Sequence, residues 1–318
     1  MNACRPVLAR ALRAGFLAVL ALACAAPVFA GAAAPAPGAL VVSFGTDPAV
    51  DPGVVVSGAA LDRVTWNDDA PAFPGDLPGS LTADYTSDLP AGWLGWSLPE
   101  PVTEADPFVA AAVFVIDPEG FVADPYGYFE ISWGLWNAET CGLERSGSPE
   151  NAAGDTFQLA EFDWFPNVSP WFGGPWLSPS LFGVADPENP LFEAYGAFAN
   201  MTFGSVEAAL PLGEPLLAVM EHRPGDGVMV VQVFSLGEGD VPIPVPGAVT
   251  VVPLGWLSRP EYTLDTIGIT LWHDGWQWGE TPALAGHVTF HLLTFHRGVP
   301  ALRDLPGLPA LPARPRGE

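Results

Sequence analysis

Lysine is absent from this chain. All 11 basic residues are arginine, set against 36 Asp and Glu, and the formal charge is −25. A surface this acidic repels a phosphate backbone, which excludes nucleic acid as a partner. Cysteine is scarce, with only Cys4, Cys24 and Cys141. Cys141 stands between Glu139 and Glu144, and neighbouring carboxylates disfavour a thiolate, which argues against a catalytic thiol. Beyond the first 30 residues no apolar run is long enough to span a bilayer. Helical periodicity is nearly absent as well. The 36 Pro and 35 Gly recur every few residues and interrupt any long helix.

The N-terminus carries Arg5, Arg10 and Arg13, then the apolar run Ala14 to Ala26, then Pro27-Val28-Phe29-Ala30. This is the pattern of a secretory signal, and it predicts cleavage after Ala30. Ala21-Leu22-Ala23-Cys24 weakly resembles a lipoprotein signal, but Ala is unusual at its first position. The expected location is secreted or extracellular, with the periplasm and cell surface as alternatives. Once residues 1–30 are removed, Cys141 is left alone and no internal disulfide can form, despite an oxidising destination. Stability must then come from core burial, for which 12 Trp and 19 Phe supply material.

Residues 31–38 read as a flexible leader, 39–297 as one β-sandwich domain, and 298–318 as a Pro-rich tail with Leu-Pro repeats, expected to be disordered. About ten to thirteen strands are predicted, the clearest of them Leu40–Gly45, Ser80–Thr86, Phe108–Ile116, Tyr128–Leu135, Thr156–Trp164, Leu216–Glu221, Val228–Leu236, Thr263–Trp272 and His287–His296. Asp-Pro and Pro-Gly turns separate them, such as Asp117-Pro118-Glu119-Gly120. The fold class is all-β, a two-sheet antiparallel sandwich. A Pro-, Gly- and aromatic-rich loop near Pro166–Pro190 is long enough to carry function or to cover one end of the sandwich.

The most informative segment is Thr156-Phe157-Gln158-Leu159-Ala160-Glu161-Phe162-Asp163-Trp164-Phe165-Pro166. Residues two apart on a strand share a face, so Glu161 and Asp163 project together, about 7 Å apart, opposite Phe162 and Trp164. Two carboxylates on an apolar strand need a sugar, a cation, an Arg such as Arg145, or acid–base work to compensate them.

With the late strand Leu264-Asp265-Thr266-Ile267-Gly268-Ile269, the Glu161-Phe162-Asp163 core resembles the concanavalin A-like lectin and glucanase superfamily. It is closer still to exported bacterial proteins with a Glu-Phe-Asp-aromatic-Phe-Pro-Asn block, matched here from Glu161 to Pro175. The resemblance implies a jelly roll whose concave sheet binds glycans, and it allows one structural calcium. Retaining glucanases of that superfamily place a second Glu farther along the same strand. Here Phe165 and Pro166 stand in its place, leaving Glu161 as the weak candidate for catalysis. Glu130 is a candidate substitute that the sequence gives no means of placing.

Exposed Trp faces stack on sugar rings, and Trp171, Trp176, Trp276 and Trp278 are the expected platform, whereas Trp133 and Trp164 read as core. His287 and His291, about 13 Å apart along a strand, are too far apart for one zinc ion. Acidic turns such as Asp47/Asp51 and Asp117/Asp124 lack the spacing of a dedicated calcium loop and read as Asp-Pro turn chemistry. The leading expectation is a secreted, non-catalytic, glycan-interacting sandwich protein with a polysaccharide or glycan as partner. The alternatives are a glycoside hydrolase or polysaccharide lyase using Glu161, and a structural protein of an extracellular matrix or cell surface.

Overall fold

A computed structural model describes residues 38–68, 79–86, 89–119, 130–139, 158–166, 174–184, 201–237, 241–255, 261–271 and 285–300. Residues 32–312 fall in one compact unit. The described residues form two antiparallel sheets, two short 3-10 turns (Ala60–Arg63 and Pro224–Asp226) and no α-helix. The all-β, two-sheet antiparallel sandwich expected from the Gly/Pro punctuation is the observed fold.

One sheet has eight strands: β1 (Ala39–Val42), β3 (Val64–Asn67), β4 (Ser80–Asp84), β6 (Phe108–Ile116), β13 (Pro215–Arg223), β14 (Val228–Leu236), β15 (Pro242–Pro253) and β17 (His287–Arg297). Their order is β15-β14-β13-β6-β17-β4-β3, with β1 also on β17. The other has nine: β2 (Val54–Gly58), β5 (Gly92–Thr103), β7 (Ile131–Trp136), β8 (Leu159–Phe165), β9 (Trp176–Leu177), β10 (Ser180–Phe182), β11 (Met201–Phe203), β12 (Val206–Glu207) and β16 (Thr263–Leu271). These run β11-β10-β8-β7-β16-β5-β2, with β9 joining β8 to β12.

Each of the nine strands named from the sequence overlaps an observed one, and the seventeen strands of the described residues exceed the ten to thirteen expected. The long strands β5 and β15 were not predicted. Their prolines and glycines read as turns, yet β15 is an edge strand, where Pro gives up no ladder bond. His291 sits at a β-bulge, where the β17–β6 register shifts between Phe290 and Leu292. The simple alternation that would put it on the face of His287 is therefore broken.

The core lies between the sheets. Phe114 and Phe290 come from the eight-stranded sheet, and Trp133 and Phe162 from the nine-stranded one. Trp133 stacks on Phe162 with centroids 5.7 Å apart, and Phe114 meets Phe162 edge-on at 6.0 Å. Such pairs add about 0.5–1.5 kcal/mol each beyond the area they bury. Two polar pins cross from sheet to sheet. The buried Arg63 guanidinium donates to the carbonyls of Asp84, Thr86, Pro90 and Leu271. The Tyr85 hydroxyl donates to the Ser132 carbonyl at 2.6 Å, and burial pushes its pKa well above the usual tyrosine value.

Candidate functional site

On β8, Ala160, Phe162 and Trp164 enter the core, so the alternation sends Leu159, Glu161, Asp163 and Phe165 to the outer face of the nine-stranded sheet. The strand register then fixes what stands beside them. Asp163, Ser132, Thr270 and Trp93 form one row across β8, β7, β16 and β5. In the next row, Ser180, Glu161, Gly134, Gly268 and Gly95 face one another. A third row holds Phe182, Leu159, Trp136, Thr266 and Ser97.

Glu130, one residue before β7, shares the parity of Ser132 and Gly134 and so belongs to this face. Carboxylate oxygens of Glu130, Glu161 and Asp163 all lie within 4.8 Å of one another, and all three residues are buried. The Thr270 hydroxyl donates to Glu161 Oε1 at 2.5 Å and lies 2.7 Å from Ser132 Oγ. Ser132 in turn donates to the Thr270 carbonyl at 2.8 Å. Ser180 donates to Asp163 Oδ2 at 2.9 Å. Three carboxyl groups this close repel when ionised, so the arrangement calls for protons, a cation or donor hydrogens to offset the charge. Chemically it suits a hard cation, which takes oxygen ligands, the hydroxyls of a sugar, or a pair of carboxyls sharing acid–base work.

Next to the acids the face is aromatic over a glycine floor. A Cβ added to Gly268 would come within 2.5 Å of the Trp136 ring and 2.1 Å of the Leu94 carbonyl oxygen. One added to Gly95 would come within 2.5 Å of the same ring. The indole of Trp136 thus lies directly over the two glycines. Trp93 meets it edge-on at 5.3 Å. Trp136 is buried, and its Nε1 has no hydrogen-bond partner among the described residues.

Of the residues expected from sequence, Glu161 and Asp163 come together here. Trp176, paired with Phe165 on the same face, stands one row beyond Asp163 and is partly exposed. Trp171, Trp276 and Trp278 lie outside the described residues, as do Arg145 and Cys141. Trp133 and Trp164 are in the core, and Trp164 Nε1 donates to the Ala208 carbonyl. Trp93, Trp136, Ser132 and Thr270 join the site without being among the residues expected there. Their signal was the alternation of β5, β7 and β16, which places every second residue beside the acids.

No protein-family model matches the chain. No curated protein matches it either. Among solved structures, it is similar to the Lotus tetragonolobus seed lectin at 10% identity and a TM-score of 0.43, over 82% of this chain and 100% of that one. Peanut lectin with a 9-mer peptide gives 11% and 0.43, over 82% and 99%. Arcelin-5, a lectin-like defense protein from Phaseolus vulgaris, gives 11% and 0.39, over 83% and 100%. Values this low say nothing of what this chain binds.

Proposed function

We propose that the protein is an exported, non-catalytic, glycan-binding β-sandwich protein that reads its ligand on the outer face of the nine-stranded sheet. The observation that supports this reading is the convergence on that one face of Glu130, Glu161 and Asp163, the Ser132–Thr270 hydroxyl pair, and Trp93, Trp136 and Trp176. Acids and hydroxyls accept and donate to sugar hydroxyls, while indoles cover the apolar ring faces. Glu161 and Asp163 are only 1% exposed. Engagement of the acids therefore needs local opening, and slow association is expected.

One observation favours a second reading, a glycoside hydrolase. Glu130 supplies the second carboxyl group that β8 lacks, and retaining hydrolysis uses two such groups about 5–5.5 Å apart. A glycan array followed by reducing-sugar assays on the polysaccharides that bind separates the two. For the binding protein, wild type binds without releasing reducing ends, and Glu161→Gln binds more weakly. Cleavage by wild type that is lost in Glu161→Gln or Glu130→Gln, with binding retained, replaces the first reading by the second. An array with no positive glycan sinks both.

A further inference from the structure

The two sheets end on four edge strands, and three of these are guarded. β15 carries Pro242, Pro244, Pro246 and Pro253, and the Pro253 carbonyl accepts from the Thr202 hydroxyl at 2.7 Å. β3 has polar residues at every second position, Thr65 and Asn67, with Asp68 next. β11 is only three residues long. Prolines, polar or charged residues and shortness keep an edge from pairing with another chain. β2, at the end of the nine-stranded sheet, has no proline, no charge and no bulge. Residues 52–61 hold no charged side chain, in a chain of net charge −25.

The register fixes which backbone groups of β2 are open. The Ala59 N–H donates to the Ala91 carbonyl at 2.9 Å, directly after the pair Gly58–Gly92. In an antiparallel ladder, hydrogen-bonded pairs alternate with non-bonded ones. Val55 and Ser57 therefore turn their N–H and C=O groups toward β5, while Val54, Val56 and Gly58 turn theirs away. The Val54 N–H agrees with this parity, since it donates to the Asp51 carbonyl at 3.2 Å in the preceding turn. That leaves the N–H groups of Val56 and Gly58 and the carbonyls of Val54 and Val56 on the open edge. Among the described residues nothing pairs with them. Val56 is 41% exposed, and Val50 and Leu61, which flank the strand in sequence, are 72% and 41%.

This set of groups is its own complement. Antiparallel pairing of β2 with a second β2, about a two-fold axis at Val56, sets each Val56 N–H against the other copy's Val56 carbonyl. It sets each Gly58 N–H against the other copy's Val54 carbonyl. Every open donor meets an open acceptor, and the Val54 N–H that the turn has taken is not needed. Contact of like with like about a two-fold axis is the commonest form of a homo-oligomer. A basic partner would be drawn to the acidic surface elsewhere, whereas an uncharged strip is matched by its own copy.

We propose that two copies of the chain pair edge to edge through β2, antiparallel and centred on Val56, joining their nine-stranded sheets into one. Val55 and Ser57 stand in the rows of Gly95 and Trp93, so the outer faces that carry the acids run on across the seam. β8 of one copy is then nine strand spacings from β8 of the other, about 43 Å. A ligand of repeating units can engage both faces at once. That use rests on the glycan-binding reading, and the pairing itself does not.

Mass in solution, followed over protein concentration and salt, tests the pairing without any ligand. We expect a concentration-dependent dimer whose dissociation constant falls several-fold as added salt screens the repulsion of two acidic chains. Val56→Pro removes an outward N–H that takes no part in the β5 ladder, a change that edge strands tolerate. It should weaken the dimer at least tenfold, with a far-ultraviolet spectrum like wild type. Ile243→Lys, on the β15 edge, should dimerise as wild type does. Cross-linking gives a second readout. At the axis the two Val56 Cα atoms stand about 5.5 Å apart, within the span of a disulfide. In a chain with Cys4→Ser, Cys24→Ser and Cys141→Ser, Val56→Cys should therefore oxidise to a covalent dimer, and Ile243→Cys should not. If Val56→Pro fails to fold, the two cysteine variants decide. Wild type with the mass of one chain at every concentration and salt overturns the proposal. So does a dimer that Val56→Pro leaves unchanged or that Val56→Cys fails to cross-link, since another surface would then join the copies.

Discussion

The hydroxyl of Thr270 on β16 reaches the carboxylate of Glu161 on β8 across the whole width of β7, at 2.5 Å. It does so over Gly134, which pairs with Glu161 and has no side chain to stand in the way. Glu161 is buried, so this donor replaces water that the carboxylate gave up on folding.

Thr270→Val keeps the β-branched shape and removes that donor. Removing one partner of a buried polar group costs about 1–3 kcal/mol, and we expect a loss of this size, read from urea unfolding at neutral pH. Thr270→Ser retains the hydroxyl and should lose less than half as much. Equal losses in the two variants would mean that the methyl group, and not the hydrogen bond, carries the effect.

The glycine floor makes a second prediction. At Gly268 an added methyl would meet the Leu94 carbonyl and the Trp136 ring at once, and backbone cannot swing aside as a flexible side chain can. Overpacking of this kind costs about 1–3 kcal/mol. Gly268→Ala should therefore lower stability and weaken the near-ultraviolet circular dichroism of the Trp93–Trp136 pair. A variant as stable as wild type with an unchanged aromatic signal would show that the indole does not rest on the glycines.

Arg63 gives a third. Its guanidinium serves four carbonyls, Asp84 on β4, Leu271 on β16, and Thr86 and Pro90 in the connection between β4 and β5, and it is 3% exposed. Lysine has one nitrogen and cannot reproduce a planar fork. With roughly 1 kcal/mol for each bond lost, Arg63→Lys should cost about 2–3 kcal/mol in equilibrium unfolding, and Arg63→Met should cost more because every carbonyl loses its partner. A Lys variant within about 0.5 kcal/mol of wild type would remove Arg63 from the forces that hold the sheets together.

How much of this was legible in the sequence depended on whether the signal was local. The pleat of β8 alone put Glu161 and Asp163 on one face and Phe162 on the other, because a period of two needs no tertiary knowledge. The company they keep was not legible. Glu130 is 31 positions away from Glu161, and Thr270 is 109, and only strand order brings them together. β5 was missed because Gly92, Gly95, Pro99 and Pro101 imitate a loop. In the fold, Gly95 is instead the place where the ring of Trp136 needs room. Arg63 and His222 gave no signal at all, since a buried charged or titratable residue looks like a surface one until its partners are known.

His222 carries the last prediction. The ring is fully buried and stacks on Phe108 at 4.8 Å. Nδ1 lies 2.8 Å from the Asp106 carbonyl, which can only accept, so Nδ1 bears the proton and donates. Nε2 then accepts from the Tyr262 hydroxyl at 2.9 Å. The pocket thus holds the neutral ring. Burial pushes its pKa below the usual 6.5, against the upward pull of the Asp106 carbonyl and the charges of Asp106 and Glu104. As pH falls, the unfolded chain takes up the proton first. Between 6.5 and the lower folded value the unfolded state holds more protons, so stability rises with pH across that window. This contribution is fully present above about 6.5 and is lost as pH falls through the window, by at most about 1.4 kcal/mol per pH unit for one proton. His291, also buried with a lowered pKa, adds a slope of the same sign. The test is therefore a difference between proteins. His222→Gln does not titrate there, and the plot of its unfolding free energy against pH should be flatter than wild type just below about pH 6.5. Parallel curves for the two proteins would show that His222 is protonated alike in the folded and unfolded chain, and that the hydrogen bonds to Asp106 and Tyr262 do not fix its state.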